Sequence, residues 1–272
     1  MENGNRSGVR SVGRALTILE LLSLEERGLG IAEISRRIEL PISTCHRLLT
    51  TLTSHGFVAQ DDETGSYSVG LRAFEVGNAF SYQTSLGKEA LPYMSILLAA
   101  VNETANLRVL DGNSAVLIQQ VKSDHLLSMD SRSGTRIPLY CSAVGKVLLA
   151  GLSNERIESF LKLQTLKSRT ARTIVDRDVL LESITRVRTD GYALDDGEFE
   201  DGARCVAAPI LNHRGETAAA VGVSGPDSRL TRERLDSVIS EVTTCAQNIS
   251  SALLRGSPSR YAATKRLRKN LR

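Results

Sequence analysis

The segment that decides the fold spans residues 30–60 and reads GIAEISRRIELPISTCHRLLTTLTSHGFVAQ. Ile31, Ile34 and Ile38 recur at helical spacing, so they predict the buried face of a short first helix. Pro41 separates this helix from the next one, because the residue before a proline avoids the helical conformation. The segment therefore predicts two helices joined by a tight turn and followed by a strand.

The second predicted helix has one apolar and one polar face. The apolar face consists of Cys45, Leu48, Leu49 and Leu52. The polar face carries hydroxyl, imidazole and guanidinium groups, which bind phosphates and base edges in the DNA major groove. We predict that this face contacts DNA through Ser43, Thr44, His46, Arg47 and Thr50. The alternative interpretation is a polar face that contacts only solvent.

The flanking segments complete a winged helix-turn-helix. Residues 12–24 predict an amphipathic helix that packs against the helix pair. Its expected buried face is Val12, Ala15, Leu16, Leu19 and Leu22. Residues 57–60 and 66–69 predict two short strands, and the turn residues between them indicate a hairpin. The tip of this wing is acidic, so it is a poor contact for phosphate.

Composition excludes several classes of protein. The chain has 272 residues, 41% hydrophobic and 24% charged, which is typical of a soluble protein and allows two domains. The four cysteines and four histidines are scattered, so they predict neither a disulfide framework nor a metal site. The amino terminus lacks the apolar core of a signal peptide, and residues 96–101 form the longest apolar run, too short to span a bilayer. We therefore expect a cytoplasmic protein with no membrane association.

Charge is distributed unevenly along the chain. Residues 1–72 contain eight basic and nine acidic residues, whereas residues 255–272 contain seven basic residues and no acidic one. The prediction of DNA binding therefore rests on the arrangement of side chains and not on net charge. We interpret residues 256–272 as a disordered basic tail, with contacts to DNA phosphates as the alternative.

The remainder of the chain predicts an α+β domain. Expected strands are residues 106–110, 115–121, 126–130, 203–211 and 216–224, and expected helices are residues 86–101, 142–150, 153–163, 176–190 and 231–254. The predicted organisation is a winged helix-turn-helix over residues 10–72, a linker helix over 73–86 and the second domain over 87–255.

Several segments, in order, resemble the IclR family of bacterial transcription regulators over residues 10–255. They are STCHRLL at 43–49, YSVGL at 67–71, PLYCSAVGK at 138–146, GYALDDGEF at 191–199, RCVAAP at 204–209, and VSGP at 223–226 followed by SRLT at 228–231. The resemblance implies a GAF-like effector-binding domain behind the DNA-binding domain. It also implies homodimers or homotetramers on near-palindromic operators beside catabolic operons. Many members are repressors released by a small carboxylate metabolite, and some are activators.

The resemblance also implies an effector pocket. Its residues are Ala143, Val144, Gly145, Asp195, Cys205 and Ser224, with Ala203 and Leu127 as apolar wall. A helix predicted to begin at Ser142 has free amides and a dipole that favour an anion, so we expect a hydroxy or keto acid with its carboxylate on these amides and its hydroxyl on Asp195. Gly222 stands where members that sense very small keto acids carry a hydroxyl, which predicts room for a larger acid. The alternative is that these segments are only joints of the core.

Catalysis is the competing interpretation. Cys205, His213 and Asp195 suggest a hydrolase triad on paper, but His213 lies at a predicted hairpin tip. The sequence has no nucleophile elbow, phosphate-binding loop or paired-carboxylate motif. We therefore predict a protein that is not an enzyme and uses no cofactor, and that represses a catabolic operon. An activator, or an enzyme with an accessory DNA-binding domain, remains the alternative.

Overall fold

The protein is described here by a computed structural model that covers residues 9–84, 86–126, 128 and 131–255. The chain divides into two compact units between Gln83 and Thr84. The tail at 256–272 and Leu127, the expected wall residue, lie outside the described residues.

The first unit is a winged helix-turn-helix, as predicted. Its elements are α1 (Arg10–Ser23), α2 (Ile31–Arg37), α3 (Ile42–Ser54), β1 (Val58–Gln60), β2 (Tyr67–Val69) and α4 (Leu71–Thr84). The two strands pair antiparallel, and a single bridge between Leu29 and Tyr67 ties the chain before α2 to the wing. Ile18, Ile34 and Leu49 are completely buried where α1, α2 and α3 meet.

The turn between α2 and α3 begins earlier than the proline alone indicates. Helix α2 ends at Arg37, and Glu39 adopts a left-handed backbone with φ of 53°. The Ser35 hydroxyl donates to the Leu40 carbonyl at 2.5 Å, and the Leu40 amide donates to the Ser35 carbonyl at 3.0 Å. These bonds close the turn before the chain reaches Pro41.

The buried face predicted for α1 is partly wrong. Val12 and Leu16 are 55% and 53% exposed, whereas Ile18 is completely buried and Leu22 nearly so. With 3.6 residues per turn, Leu16 lies about 160° around the helix from Ile18. The core contacts the face centred on Ile18 and Leu22, so the stripe that contains Val12 and Leu16 points away from it.

The second unit is an α+β domain built on one antiparallel sheet. Its elements are α5 (Leu86–Val101), β3 (Thr104–Asp111), β4 (Ser114–Val121), β5 (Arg136–Pro138), α6 (Ala143–Ala150), α7 (Asn154–Leu163), α8 (Arg177–Asp190), β6 (Ala193–Asp196), β7 (Ala203–Leu211), β8 (Thr217–Pro226) and α9 (Leu235–Arg255). The six strands lie in the order β5-β4-β3-β8-β7-β6. Helices α5 and α9 pack against one face and helices α6, α7 and α8 against the other.

Three details of the second unit differ from the prediction. The short strands β5 and β6, at the two edges of the sheet, were not predicted. Leu126 and Ser128 are not in a strand, and Leu127, Met129 and Asp130 lie outside the described residues. A 3₁₀ turn over Arg232–Arg234 precedes the last helix, which therefore begins at Leu235 and not at Thr231.

Candidate functional site

Helix α3 separates its apolar and polar residues as predicted. Cys45, Leu49 and Leu52 are buried in the first unit. On the opposite face Ser43, His46, Arg47 and Thr50 are exposed, and Thr44 is half-buried. The Thr50 hydroxyl donates to the His46 carbonyl at 2.8 Å, which holds it against its own helix. The guanidinium of Arg47 forms no ion pair within the described residues, so it is available to an external partner.

The second unit contains a small internal cavity between the sheet and α6. Its volume is about 70 Å³. Five of the six residues predicted for effector binding line it, namely Ala143, Val144, Asp195, Cys205 and Ser224. Segments separated by up to 81 positions in the chain, from Ala143 to Ser224, thus meet at one place.

Strand register explains why the polar side chains converge. Asp195 pairs with Cys205 between β6 and β7, and Cys205 pairs with Ser224 between β7 and β8. Cross-strand partners project from the same face of a sheet, so these three side chains form one row. Asn106 on β3 extends the row, because its Nδ2 donates to Ser224 Oγ at 3.1 Å.

The amino terminus of α6 closes the cavity from the other side. Ser142 caps the helix, and its hydroxyl accepts a hydrogen bond from the Gly145 amide at 3.2 Å. The amides of Ala143 and Val144 have no acceptor among the described residues, as expected for the first turn of a helix. Two of the three predicted amides are therefore available to a ligand.

Gly145 is the one predicted effector-binding residue that the cavity does not include, and its role stays a prediction. Gly145 does not line the cavity, and its amide is already bonded to Ser142. A Cβ atom at this position would lie 2.3 Å from the Leu139 carbonyl oxygen. Glycine is required here because α6 packs closely against the preceding loop.

Asp195 is a buried carboxylate, only 2% exposed. Its Oδ1 accepts hydrogen bonds from the amides of Glu198 at 2.7 Å and Phe199 at 3.4 Å. Burial raises the pKa of Asp195 to about 6, although the Glu198 amide and the Lys146 ammonium both oppose this shift. Lys146 is itself buried in an ion pair with Glu198 and also donates to the Leu194 carbonyl at 2.6 Å.

The competing interpretation, a catalytic triad of Cys205, His213 and Asp195, is not supported by the structure. Burial raises the pKa of the Cys205 thiol to about 12, so it remains protonated at neutral pH. His213 is exposed at the hairpin beyond Leu211. It lies eight residues from Cys205, which is roughly 25 Å along an extended strand. Cys205 therefore has neither the base nor the ionisation state of a nucleophile.

Arg108 is the cavity residue that sequence reasoning missed. It lies on β3, is only 5% exposed and lines the cavity. Its Nη1 donates to the Thr135 carbonyl at 3.1 Å, and within the described part of the chain it has no carboxylate partner. Burial lowers the pKa of Arg108 to about 10, so the guanidinium keeps its charge at neutral pH. Thr104, Asn106 and Arg108 alternate with apolar residues, a pattern that places all three on one face of the strand.

Two further residues considered for the pocket, Ala203 and Gly222, do not line this cavity. Ala203 is buried but does not line the cavity. Gly222 also lies outside the lining, and a Cβ there would be 2.4 Å from the Val206 carbonyl oxygen. Gly222 thus permits close packing of β8 on β7 and supplies no additional room for a larger acid.

A winged helix-turn-helix with an exposed polar face on α3, followed by an α+β domain with a small cavity, is the architecture of a helix-turn-helix transcription regulator. The family model described as bacterial transcriptional regulator IclR C-terminal matches residues 80–251, and the IclR helix-turn-helix domain matches residues 11–62. The chain belongs to the IclR family of bacterial transcription regulators.

Characterised relatives are similar along nearly their whole length. The chain is 36% identical to the HTH-type transcriptional regulator BhcR of Paracoccus denitrificans over 243 residues, 89% of this chain and 87% of that protein. It is 35% identical to the HTH-type transcriptional repressor AllR of Escherichia coli K12 over 248 residues, 91% of this chain and 92% of that protein.

Solved structures have the same fold. A putative transcriptional regulator from Rhodococcus sp. RHA1 has a TM-score of 0.79 at 32% identity and covers 90% of this chain and 98% of its own. An IclR homologue from Microbacterium hydrocarbonoxydans, complexed with 4-hydroxybenzoate, has a TM-score of 0.82 at 25% identity. It covers 91% of this chain and 100% of its own.

Neither a membrane-spanning helix nor a metal-binding cluster occurs among the described residues. None of the helices in residues 9–84, 86–126, 128 and 131–255 is both long and apolar enough to cross a membrane. The same residues contain no group of three or more histidine, cysteine, aspartate or glutamate side chains arranged to hold a metal ion.

Proposed function

We propose that this protein is a repressor of a catabolic operon, and that a small carboxylate bound in the cavity releases it from its operator. This proposal rests on the meeting of residues from β6, β7, β8 and α6 around one cavity, into which Asp195, Cys205 and Ser224 bring polar groups. Burying polar side chains costs more free energy than burying apolar ones. A ligand that bonds to these groups therefore explains them better than packing does.

DNA contact is assigned to the polar face of α3. Arg47 lies at its centre, with Ser43, Thr44, His46 and Thr50 around it. A guanidinium can bind guanine through two hydrogen bonds, and the hydroxyls can bind phosphates. A homodimer or homotetramer would place two such helices on a near-palindromic operator in the cytoplasm.

The carboxylate assignment draws support from two relatives. AllR is named a repressor, and the Microbacterium homologue was solved with 4-hydroxybenzoate, which is a carboxylate. In this chain the free amides at the start of α6 and the protonatable Asp195 are suited to the two ends of a hydroxy acid.

The test combines binding in solution with expression in cells. Fluorescence anisotropy with DNA from upstream of the gene should show operator binding that short carboxylic acids weaken. Reporter expression from the neighbouring promoter should rise when the gene is deleted. A fall in expression would indicate an activator, and acids without effect on operator affinity would contradict the proposed release.

A further inference from the structure

We propose that Arg108 makes the cavity prefer an anionic ligand. The preferred ligand is a short monocarboxylic acid whose carboxylate pairs with this guanidinium. The inference rests on the proposed function for the presence of a ligand in the cavity. It adds a cationic side chain that pairs with the carboxylate together with the amides of α6, and it adds the size class of the acid.

The pairing of buried cations singles out Arg108. Three cationic side chains are buried within the described residues, namely Arg108, Lys146 and Arg204. Lys146 pairs with Glu198, and Arg204 pairs with Asp196 at 2.5 Å. Buried charges are normally paired, because an unpaired charge in the interior is costly. Among these three cations, Arg108 alone lacks a carboxylate in the described part of the chain.

The position of Arg108 allows a ligand carboxylate to form an ion pair with it. Its side chain lines the cavity, and the hydrogen bond to the Thr135 carbonyl uses only Nη1. A guanidinium presents parallel N–H groups that match the two oxygens of a carboxylate. A carboxylate in the cavity would therefore pair with a guanidinium that has no carboxylate partner among the described residues.

The remaining lining limits the other end of the ligand. Asp195, Asn106, Cys205 and Ser224 supply short polar groups, which suit a hydroxyl or oxo substituent. A cavity of about 70 Å³ holds on the order of five water-sized spheres. A two- or three-carbon acid fits this space, whereas an aromatic acid requires the cavity to enlarge.

The experiment compares charged and neutral ligands of the same shape on the full-length protein. Isothermal titration calorimetry at neutral pH would use sodium lactate, lactamide and 4-hydroxybenzoate as probes. We expect lactate to bind roughly 10- to 150-fold more tightly than lactamide, as for a hydrogen-bonded charged group. Arg108→Gln should abolish this preference. The control Arg136→Gln, which removes an exposed arginine paired with Asp111 in the same domain, should retain it.

Each other result has a defined meaning. Equal binding of lactate and lactamide to the wild type, unchanged lactate binding to Arg108→Gln, or 4-hydroxybenzoate binding as tightly as lactate would overturn the inference. No binding of any probe would also overturn it, because an unpaired buried guanidinium should attract its complementary anion. Circular dichroism would confirm that Arg108→Gln is folded, and Arg108→Lys, which keeps the charge, should recover part of the preference.

Operator binding distinguishes a failure of the proposed function from a failure of the assignment of Arg108. If lactate binds with the expected dependence on Arg108 but leaves operator affinity unchanged, the assignment of Arg108 stands and release by the acid does not. If an acid releases the operator equally from the wild type and Arg108→Gln, release stands and the assignment of Arg108 fails.

Discussion

The polar face of α3 and the cavity of the second unit are both polar, but they are built in opposite ways. The α3 face comes from one helix of 13 residues and is exposed to solvent. The cavity is lined by residues of all six strands and of the start of α6, and its charged groups are buried. Polar groups on an exposed face keep their contact with water and cost little folding free energy. Buried charges lose that contact and destabilise the fold unless an opposite charge on a ligand pairs with them. Substitutions should therefore affect DNA binding alone at α3, and both stability and ligand response at the cavity.

The largest effect is expected at α3. Arg47→Ala should weaken specific operator binding by roughly 1–3 kcal/mol per half-site, because it removes the guanidinium at the centre of the polar face. Thermal stability and acid binding should not change. Electrophoretic mobility shift with operator and scrambled DNA measures the effect. Arg36→Ala on α2, also exposed, is the control and should leave sequence preference intact. Unchanged preference in Arg47→Ala would show that α3 does not read the bases.

The cavity should give the opposite behaviour at Arg108. Because its pKa falls from 12.5 to about 10 in the folded protein, the charged form is disfavoured by about 3 kcal/mol at neutral pH. Arg108→Met should therefore stabilise the ligand-free protein by about 1–3 kcal/mol, after the lost bond to Thr135 is counted, while the acid no longer stabilises it. Urea unfolding with and without lactate measures both. A destabilised variant that still responds to lactate would show that Arg108 serves packing.

Asp195 should make stability depend on pH. Its pKa is raised from 3.8 to about 6 in the folded state. The folded state therefore favours the proton, and this contribution is present below pH 4 and lost as pH rises through 6. Glu198 adds to this shift, while Lys146 and the Glu198 and Phe199 amides oppose it.

Asp195→Asn should consequently gain stability over the wild type as pH rises from 4.5 to 7.5, by up to about 3 kcal/mol. Thermal unfolding across this range measures the difference. The exposed Asp201→Asn is the matched control and should follow the wild type at every pH. A difference between Asp195→Asn and the wild type that does not vary with pH would mean that Asp195 is ionised throughout.

The smallest effect is expected at Ser224. Ser224→Ala removes the acceptor of the Asn106 hydrogen bond at the cavity wall. The acid concentration for half-release should rise about fivefold, corresponding to about 1 kcal/mol for one neutral hydrogen bond. Affinity for DNA alone should be unchanged, because Ser224 lies outside the first unit. Anisotropy titrations of the preformed complex measure the midpoint, and Ser250→Ala on α9 provides a control. Identical midpoints for Ser224→Ala and the wild type would exclude Ser224 from the site.

The α3 face is built from one local segment, whereas the cavity is built from distant ones, and this difference decides how much of each the sequence could predict. Period and turn signals are local, so α2, α3 and the wing were predicted to within a few residues. The predicted face of α1 was wrong at Val12 and Leu16 because apolar residues surround much of the carboxy-terminal half of the helix, namely Ile18, Leu19, Leu21 and Leu22, so that the helical period fits more than one buried face. Deciding which face is buried requires knowing where the core lies, and that information is not local.

The cavity was predicted mainly through the family resemblance, since residues far apart in the chain meet only through strand register. Arg108 could not be assigned from the sequence, because the alternation of polar and apolar residues along β3 does not show which face of the strand borders the cavity. Gly145 was assigned to the ligand from its place near a helix start, whereas its close contact with Leu139 depends on a packing distance. The register of β3 on β8 places Thr104 opposite Ser224 and Asn106 opposite Gly222, with Arg108 on the same face, and the sequence alone does not give this register.

Release by an acid in the cavity is tested most directly by the operator affinity of the full-length protein, measured with and without the acid that binds most tightly in calorimetry. For the wild type, a saturating acid should weaken operator binding roughly 5- to 150-fold, the usual range of allosteric coupling. Arg108→Gln should bind the operator as tightly as the wild type and show no weakening at the same acid concentration. Operator affinity of the wild type that does not change when the cavity is occupied would contradict the account.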